Sequence, residues 1–170
     1  MLLLGLGSNL SSNFGNRFEN IDLAISYLQS YKIQLVKKSS FYETLSYPDI
    51  KNPKFINVII EVLTHLPPEE FVSVLISIEE ALERKRNQKN EPRTCDIDII
   101  DYNGRVMDFS YKSLIFKVPH EKLIYRNFVL YPLQEISPNW VHPITKEKIS
   151  NLIAKLPEED RKSILKVKKN

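Results

Sequence analysis

The run Pro92–Ile100 places two carboxylates two positions apart in a stretch whose other residues favour burial. In a β-strand successive side chains point to opposite faces, so Asp96 and Asp98 share one face and the isoleucines beside them take the other. The two aspartate Cβ atoms would then lie about 6.5–7 Å apart, where the negative charges repel each other. The run therefore predicts a strand with one apolar face and one face that a cation would stabilise.

Paired carboxylates that leave room for water and phosphate groups are typical ligands of Mg²⁺. Arg93 precedes the pair and can hold a phosphate oxygen through its forked guanidinium group. The same spacing also occurs on the solvated face of half-buried strands, so the spacing alone leaves both interpretations open. Under the first of them, Asp96 and Asp98 form a metal and phosphate site.

The composition fits one domain with a core of its own. A chain of 170 residues with 42% hydrophobic residues can bury a core without cross-links, and its single cysteine excludes an internal disulfide. We expect one domain over residues 1–160 and a basic, solvated tail over 161–170. The net charge of +3 is too small to indicate nucleic-acid binding, and the apolar runs are too short to span a bilayer. We therefore expect a soluble, cytoplasmic protein, and we separately expect it to be a monomer.

The spacing of apolar and turn-forming residues predicts the element order βαββαβ. The predicted strands cover 2–6, 33–44, 54–63 and 96–102, and the predicted helices cover 14–28 and 67–86. A residue between 11 and 13 would cap the first helix. With right-handed crossovers, this order favours an α+β, ferredoxin-like sandwich whose antiparallel sheet carries two helices on one face. The C-terminal region would be inserted over the other face, which is left for a ligand.

Several cationic side chains are candidates for binding a polyphosphate. Each alone is more often a surface charge, and His120 alone is more often a structural histidine. Phosphoryl transfer, however, needs little beyond positioning, metal ions and arginines around the transferred group. Cationic side chains together with two aspartates therefore favour a phosphate-binding site more than any one of them does alone. The candidates are Arg84, Arg86, Arg93, His120 and Arg126.

A second group of residues suits a flat, polar ring. Phe55 and Phe128 offer aromatic faces for stacking, and Asn57 offers an amide that can pair with donors and acceptors on the edge of a ring. Core packing is the alternative interpretation for both phenylalanines. The segment 7–9 (GSN) follows the first strand, and we interpret it as a turn and a polar anchor for neighbouring loops.

The segment Lys89–Ile100 closely resembles the signature of the 6-hydroxymethyl-7,8-dihydropterin pyrophosphokinase family of folate biosynthesis. Further segments resemble the same family in the same order, and the resemblance covers about residues 1–157. These segments are 7–10, 39–44, 55–57, 118–120 and 126–133.

The resemblance implies transfer of pyrophosphate from Mg-ATP to the hydroxymethyl group of the pterin, with release of AMP. It implies that Asp96 and Asp98 hold two Mg²⁺ ions. The residues that it implies for ATP are Glu79, Arg84, Arg86, Arg93, His120 and Arg126, with Arg84, Arg86 and Arg93 acting in catalysis. The residues that it implies for the pterin are Thr44, Phe55, Asn57 and Phe128.

The loop before the aspartates departs from the family pattern. Asn90 stands where many members have a tryptophan that closes over the site, and Glu91 stands where the signature has Gly or Ala. The loop 86–91 has no apolar anchor, and we expect it to act as a lid that orders around bound phosphates.

Two other classes of protein are compatible with parts of this pattern. A ferredoxin-like domain without catalysis could bind RNA or a regulatory ligand, with Phe55 and Phe128 as stacking platforms. Such a sheet needs a continuous basic stripe, whereas Asp96, Asp98 and Glu61 put negative charge on this face. A metal-dependent phosphohydrolase would need a positioned base or a second acidic cluster, and the sequence offers neither.

Overall fold

The chain folds as an α+β structure around an antiparallel sheet, and the computed structural model describes residues 1–85 and 91–169. The strands are β1 Leu2–Ser8, β2 Gln34–Lys38, β3 Phe41–Thr44, β4 Phe55–Leu63, β5 Asp96–Tyr102, β6 Met107–Tyr111, β7 Leu114–Val118 and β8 Leu165–Val167. The helices are α1 Arg17–Ser30, α2 Pro68–Ala81, α3 Asn127–Ile136, α4 Ile149–Lys155 and α5 Glu158–Lys162. The sheet order is β5-β1-β4-β3-β8, with β2 also paired to β4.

The first helix begins later than the sequence analysis predicts. Asn16 caps α1 by accepting hydrogen bonds from the backbone N–H groups of Phe18 and Glu19, and Glu19 bonds back to Asn16 N. Residues 12–15 cannot join the helix because Ser12 N donates to Gly15 O at 2.9 Å and closes a tight turn. The predicted cap at residues 11–13 is therefore wrong, since that segment forms a turn of its own.

One face of the sheet packs against α1 and α2, as predicted. The alternating residues Ile56, Val58, Ile60 and Val62 of β4 all lie in this core. The second helix begins where the proline pair indicates, with Pro67 as its N-cap residue.

The period-2 and period-3.6 patterns do not predict where these elements end. The second helix ends at Ala81 rather than at residue 86, because Glu83 has φ +66° and leaves the helix. The predicted strand 33–44 is divided into β2 and β3, because Ser39 Oγ rather than a backbone carbonyl accepts the Ile59 N–H between them.

The opposite face also carries helices, so the expectation of helices on one face is incomplete. Leu3, Ile59 and Ile100 point to this second face and pack against α3 and α4. The strands are apolar at these alternate positions as well, which requires a second cover. Since α3 and α4 cover only part of the face, the end near Asn57 and Asp96 is left for the candidate site.

The C-terminal half contains two features that the sequence analysis missed. Strands β6 and β7 form a hairpin that packs against the first core rather than over the open face, and Tyr111 Oη lies 2.8 Å from Ser73 Oγ of α2. Strand β8, within the segment 161–170 expected as a tail, pairs with β3 through Phe41 and Val167. Three residues are too few for a periodic signal, although the unpaired edge of β3 favours such pairing.

In the described part of the chain, no helix is long and apolar enough to cross a membrane.

Candidate active site

The candidate site lies on the uncovered end of the second sheet face, where two glycines of β1 project no side chain above the sheet. In the strand register, Gly7 of β1 is paired with both Asp96 and Asn57, and Gly5 is paired with Asp98. A Cβ on Gly7 would lie 3.2 Å from Asn57 Oδ1 and 3.6 Å from the Phe55 ring. Gly7 therefore leaves open the space between the ring and the amide, a role that a glycine inside a predicted strand can signal.

Two arginines hold the two oxygens of the Asp96 carboxylate. Arg84 Nη1 lies 2.7 Å from Oδ1, and Arg93 Nη1 lies 2.7 Å from Oδ2. The Arg84 side chain is 9% exposed, whereas those of Arg93 and Asp96 are 22% exposed. The structure thus brings the predicted phosphate-binding arginines onto a predicted metal ligand.

Glu79 lies beneath Arg84 rather than at the surface. It is 2% exposed, and its Oε1 accepts hydrogen bonds from Arg84 Nη1 and, at 2.8 Å, from the backbone N–H of Ile97. Burial alone would lower the pKa of Arg84, but the charges of Asp96 and Glu79 raise it. Glu79 therefore fixes a charged guanidinium at the base of the site.

Asp98 lies on the more open side of the pair. Its side chain is 39% exposed, and Arg126 Nη1 lies 3.6 Å from its Oδ2. Partial loss of water around the carboxylate and the charge of Asp96 raise the pKa of Asp98, while Arg126 opposes that shift. Burial and the neighbouring Arg126 lower the pKa of His120, which favours the neutral imidazole.

The residues predicted for a flat ring lie beside these charges. Asn57 Nδ2 donates to Thr44 Oγ1 at 3.0 Å, which orients the buried amide at the site. The Arg93 guanidinium lies 5.6 Å from the centre of the Phe55 ring, and the Arg126 guanidinium lies 5.4 Å from that of Phe128. Two arginines therefore join the charged group to the aromatic group.

Asn9, just beyond β1, has the anchoring role predicted for segment 7–9. Its Nδ2 donates to Ser46 Oγ at 3.2 Å and to Pro53 O at 3.1 Å, and its Oδ1 accepts from Arg93 N at 2.7 Å. Asn9 is buried and connects the loop between β3 and β4 to the segment before β5. The sequence indicated an anchor but not its partners, because these contacts join distant parts of the chain.

The predicted lid 86–91 lies almost entirely outside the described residues, and Arg86 and Asn90 are among those not described. Among the residues that the structure does describe, no cluster of three or more His, Cys, Asp or Glu side chains could hold a metal ion. A cation bound at the predicted pair, Asp96 and Asp98, would have its other positions left for water or phosphate oxygens. This donor set fits Mg²⁺, which keeps several waters and commonly uses one or two carboxylates.

Carboxylates that can hold Mg²⁺, with arginines beside them, are the groups that phosphoryl-transfer enzymes use to position and neutralise a polyphosphate, and the aromatic rings and buried amide beside them suit a flat acceptor. The family model described as 7,8-dihydro-6-hydroxymethylpterin-pyrophosphokinase matches residues 3–138. The chain belongs to this family.

Individual relatives agree with this assignment. The chain is 35% identical over 146 residues to the 2-amino-4-hydroxy-6-hydroxymethyldihydropteridine pyrophosphokinase of Aquifex aeolicus, covering 86% of each chain. It is also 35% identical over 157 residues to the folic acid synthesis protein fol1 of Pneumocystis carinii, covering 92% of this chain. The chain spans only 21% of the length of that fungal protein.

Among solved structures, the wild-type HPPK-DHPS protein of Plasmodium falciparum superposes with a TM-score of 0.71. The superposition covers 91% of this chain and 44% of the other, at 16% sequence identity. At this level of identity, the match supports the fold alone.

Proposed function

We propose that this protein transfers pyrophosphate from Mg-ATP to the hydroxymethyl group of 6-hydroxymethyl-7,8-dihydropterin, releasing AMP, in folate biosynthesis. One observation carries the proposal beyond family membership. The arginine-bound carboxylate of Asp96 lies next to the ring and amide of Phe55 and Asn57, joined through Arg93. A polyphosphate and a flat acceptor could therefore occupy adjacent halves of one surface.

The reaction makes one bond and breaks another at the β-phosphorus of ATP. The hydroxymethyl oxygen of the pterin bonds to that phosphorus, its proton is released, and the bond to the oxygen leading to the α-phosphorus breaks, leaving AMP. Two Mg²⁺ ions held by Asp96 and Asp98 would neutralise charge on the triphosphate. Arg84, Arg86 and Arg93 are the catalytic arginines of the proposal. Arg84 and Arg93 present guanidinium groups at the base of the site, and Arg86 is included on the family resemblance.

ATP would be held by side chains close to the two aspartates. Arg126 and His120 are proposed to contact the nucleotide or its phosphates, and a neutral His120 could donate from one ring nitrogen and accept at the other. The family resemblance assigns Arg86 an ATP contact as well as its catalytic role. For Glu79 we propose that any effect on ATP acts through Arg84, since Glu79 is buried beneath it.

The pterin would lie over Gly7, between the aromatic side chains. Asn57 would pair with the edge of the ring while Thr44 keeps its amide oriented, and Phe55 and Phe128 would stack on the faces. The selectivity of such a pocket comes from the amide, since a ring that cannot pair with it would leave buried polar atoms without partners.

The coarser features of the fold support further proposals. The order β5-β1-β4 followed by β2 and β3, with α1 and α2 as crossovers, is consistent with a ferredoxin-like core. We propose that the chain forms one domain, as expected for residues 1–160, and that this domain also includes β8, because β8 pairs with β3. We also propose a monomer, which light scattering on the purified chain would test.

A coupled assay for AMP tests the proposed function. We expect AMP from ATP only when Mg²⁺ and 6-hydroxymethyl-7,8-dihydropterin are both present, with pterin diphosphate formed in equal amount. Release of ADP, or of AMP without the pterin, would instead indicate a phosphohydrolase. Binding of single-stranded RNA without turnover would favour the non-catalytic alternative, which the carboxylates and the helices on this sheet face argue against.

A further inference from the structure

The end of α2 contains a residue in a backbone conformation that normally suits glycine. Glu83 has φ +66°, and the backbone N–H groups of Glu83 and Arg84 donate to Glu80 O and Glu79 O at 3.0 Å each. These two bonds form a Schellman motif with Glu83 at the left-handed C′ position. A glutamate is strained there because its Cβ disfavours positive φ.

The Glu83 side chain makes contacts that a glycine could not make. Asn13 donates twice to its carboxylate, from the backbone N–H to Oε2 at 2.9 Å and from Nδ2 to Oε1. Asn13 lies at the tip of the turn closed by Ser12 and Gly15, and Ser12 Oγ is bonded at 2.6 Å to Asn20 of α1. A turn fixed on α1 thus holds the residue immediately before Arg84.

The same loop also holds the segment on the far side of the candidate site. Asn9 accepts the backbone N–H of Arg93 at 2.7 Å, and Asn9 N donates back to Arg93 O at 3.1 Å. The loop between β1 and α1 therefore fixes the backbone at both arginines that contact Asp96, one through Asn9 and the other through Glu83.

We propose that Glu83 is a positioning residue for Arg84, and that its contact with Asn13 sets the direction in which Arg84 leaves α2 towards the transferred phosphate. The proposal rests on the proposed function. Glu83 does not touch the substrate in this scheme. It fixes the turn from which the Arg84 guanidinium reaches Asp96, and a small error in that direction moves the charge at the reacting group.

The test uses two variants and a matched control. Glu83→Gly relieves the strain at positive φ but removes the carboxylate, and Asn13→Ala removes one donor while leaving Glu83 in place. Lys32→Gly is the control, since Lys32 has φ +61° in the corresponding position after α1, with Lys32 N bonded to Gln29 O and Ile33 N to Leu28 O. All three variants are compared with the unmodified chain by AMP formation and by thermal unfolding.

We expect Glu83→Gly and Asn13→Ala to lower kcat about tenfold, with little change in KM for the pterin. Lys32→Gly should keep full turnover. In an Arg84→Ala background the Glu83→Gly change should have no further effect on kcat, because Glu83 acts through Arg84. If both variants turn over like Lys32→Gly, or if the loss persists without Arg84, the proposal is wrong.

A second measurement does not depend on turnover. The NMR signal of the Arg84 Nε–H group in the ligand-free protein should shift in Glu83→Gly and Asn13→Ala and stay in place in Lys32→Gly. An unchanged signal in the first two variants would overturn the positioning role. Absence of AMP formation by the unmodified chain would overturn the proposed function alone. If Glu83→Gly fails to fold, the Arg84 signal in Asn13→Ala tests the positioning role by itself.

Discussion

Arg93 donates from Nη1 to Oδ2 of Asp96 at 2.7 Å, while Arg84 holds the other oxygen of the same carboxylate. Asp96 is thus compensated by two cations, whereas Asp98 has the looser 3.6 Å contact with Arg126. Removing Asp96 would take away the carboxylate that Arg84 and Arg93 both contact. Asp98 is therefore the better position at which to test the predicted metal site without disturbing the fold.

The first prediction concerns Asp98→Asn, which keeps the shape of the side chain and removes its charge. We expect AMP formation to fall at least about a hundredfold, because a cation bridge to the triphosphate is lost. The free energy of unfolding should change little, since the side chain is 39% exposed. The measurement is turnover as a function of Mg²⁺ concentration, with Asp108→Asn on the exposed part of β6 as the control. Turnover equal to that of the control would rule out Asp98 as a ligand.

The second prediction concerns Asn57→Ala. We expect pterin binding to weaken by about 1–3 kcal/mol, because the buried edge of the ring loses its partner. Binding of Mg-ATP should be unchanged, since the known contacts of Asn57 are to Thr44 and Tyr42 on β3. Calorimetric titration with each ligand measures both effects, and Asn151→Ala on α4 is the control. An equal loss for both ligands would point to a folding defect instead.

The alternation of β4 was sufficient to predict its core face, because Ile56, Val58 and Ile60 are apolar in strict period two. The C-terminal region was expected over the second face, but no local pattern indicated which of its elements would pack there. Ile59 and Ile100 demand burial, but nothing local indicates that α3 and α4 supply it from more than 25 residues further along the chain. The positions of β1, α1, β4, α2 and β5 were thus readable from local patterns, whereas the division of 33–44 into β2 and β3 and the cover of the second face depend on long-range contacts.

For the site, the Asp-x-Asp spacing predicted the shared face of the aspartates, and the arginines were identified by type. The burial of Glu79 had a signal that was overlooked. Glu79 lies four residues after Leu75 and three before Leu82, so it shares the apolar stripe of α2. The Asn13–Glu83 contact had no local signal in the sequence, because it joins residues 70 positions apart.

The third prediction follows from the burial of Glu79. In Glu79→Ala we expect the free energy of unfolding to fall by about 3–5 kcal/mol, because Arg84 loses a buried partner and the Ile97 amide loses its acceptor. Chemical denaturation measures the change. Glu80→Ala is the matched control, since Glu80 is the next residue of the same helix and is exposed. A loss no larger than that of the control would contradict a structural role for Glu79.

The fourth prediction is a dependence of stability on pH through Glu135 of α3. Burial would raise the pKa of Glu135, but hydrogen bonds from Tyr42 and Ser40 and the charge of Lys166 lower it overall. Tyr42 Oη donates at 2.6 Å, and burial together with this bond to Glu135 raises the pKa of Tyr42. Because the folded state favours ionised Glu135, its contribution is complete above the ordinary glutamate pKa of about 4.3 and is lost as the pH falls through the lowered value.

Glu135→Gln should therefore lower the free energy of unfolding by about 1–3 kcal/mol at pH 7, and the difference from the unmodified chain should shrink as the pH falls from about 5 to 3. Denaturation midpoints across this range measure the effect. Glu121→Gln serves as the control, because Glu121 is 61% exposed. A difference that stays constant with pH would mean that Glu135 stabilises the contact between α3 and β3 by shape rather than by its charge.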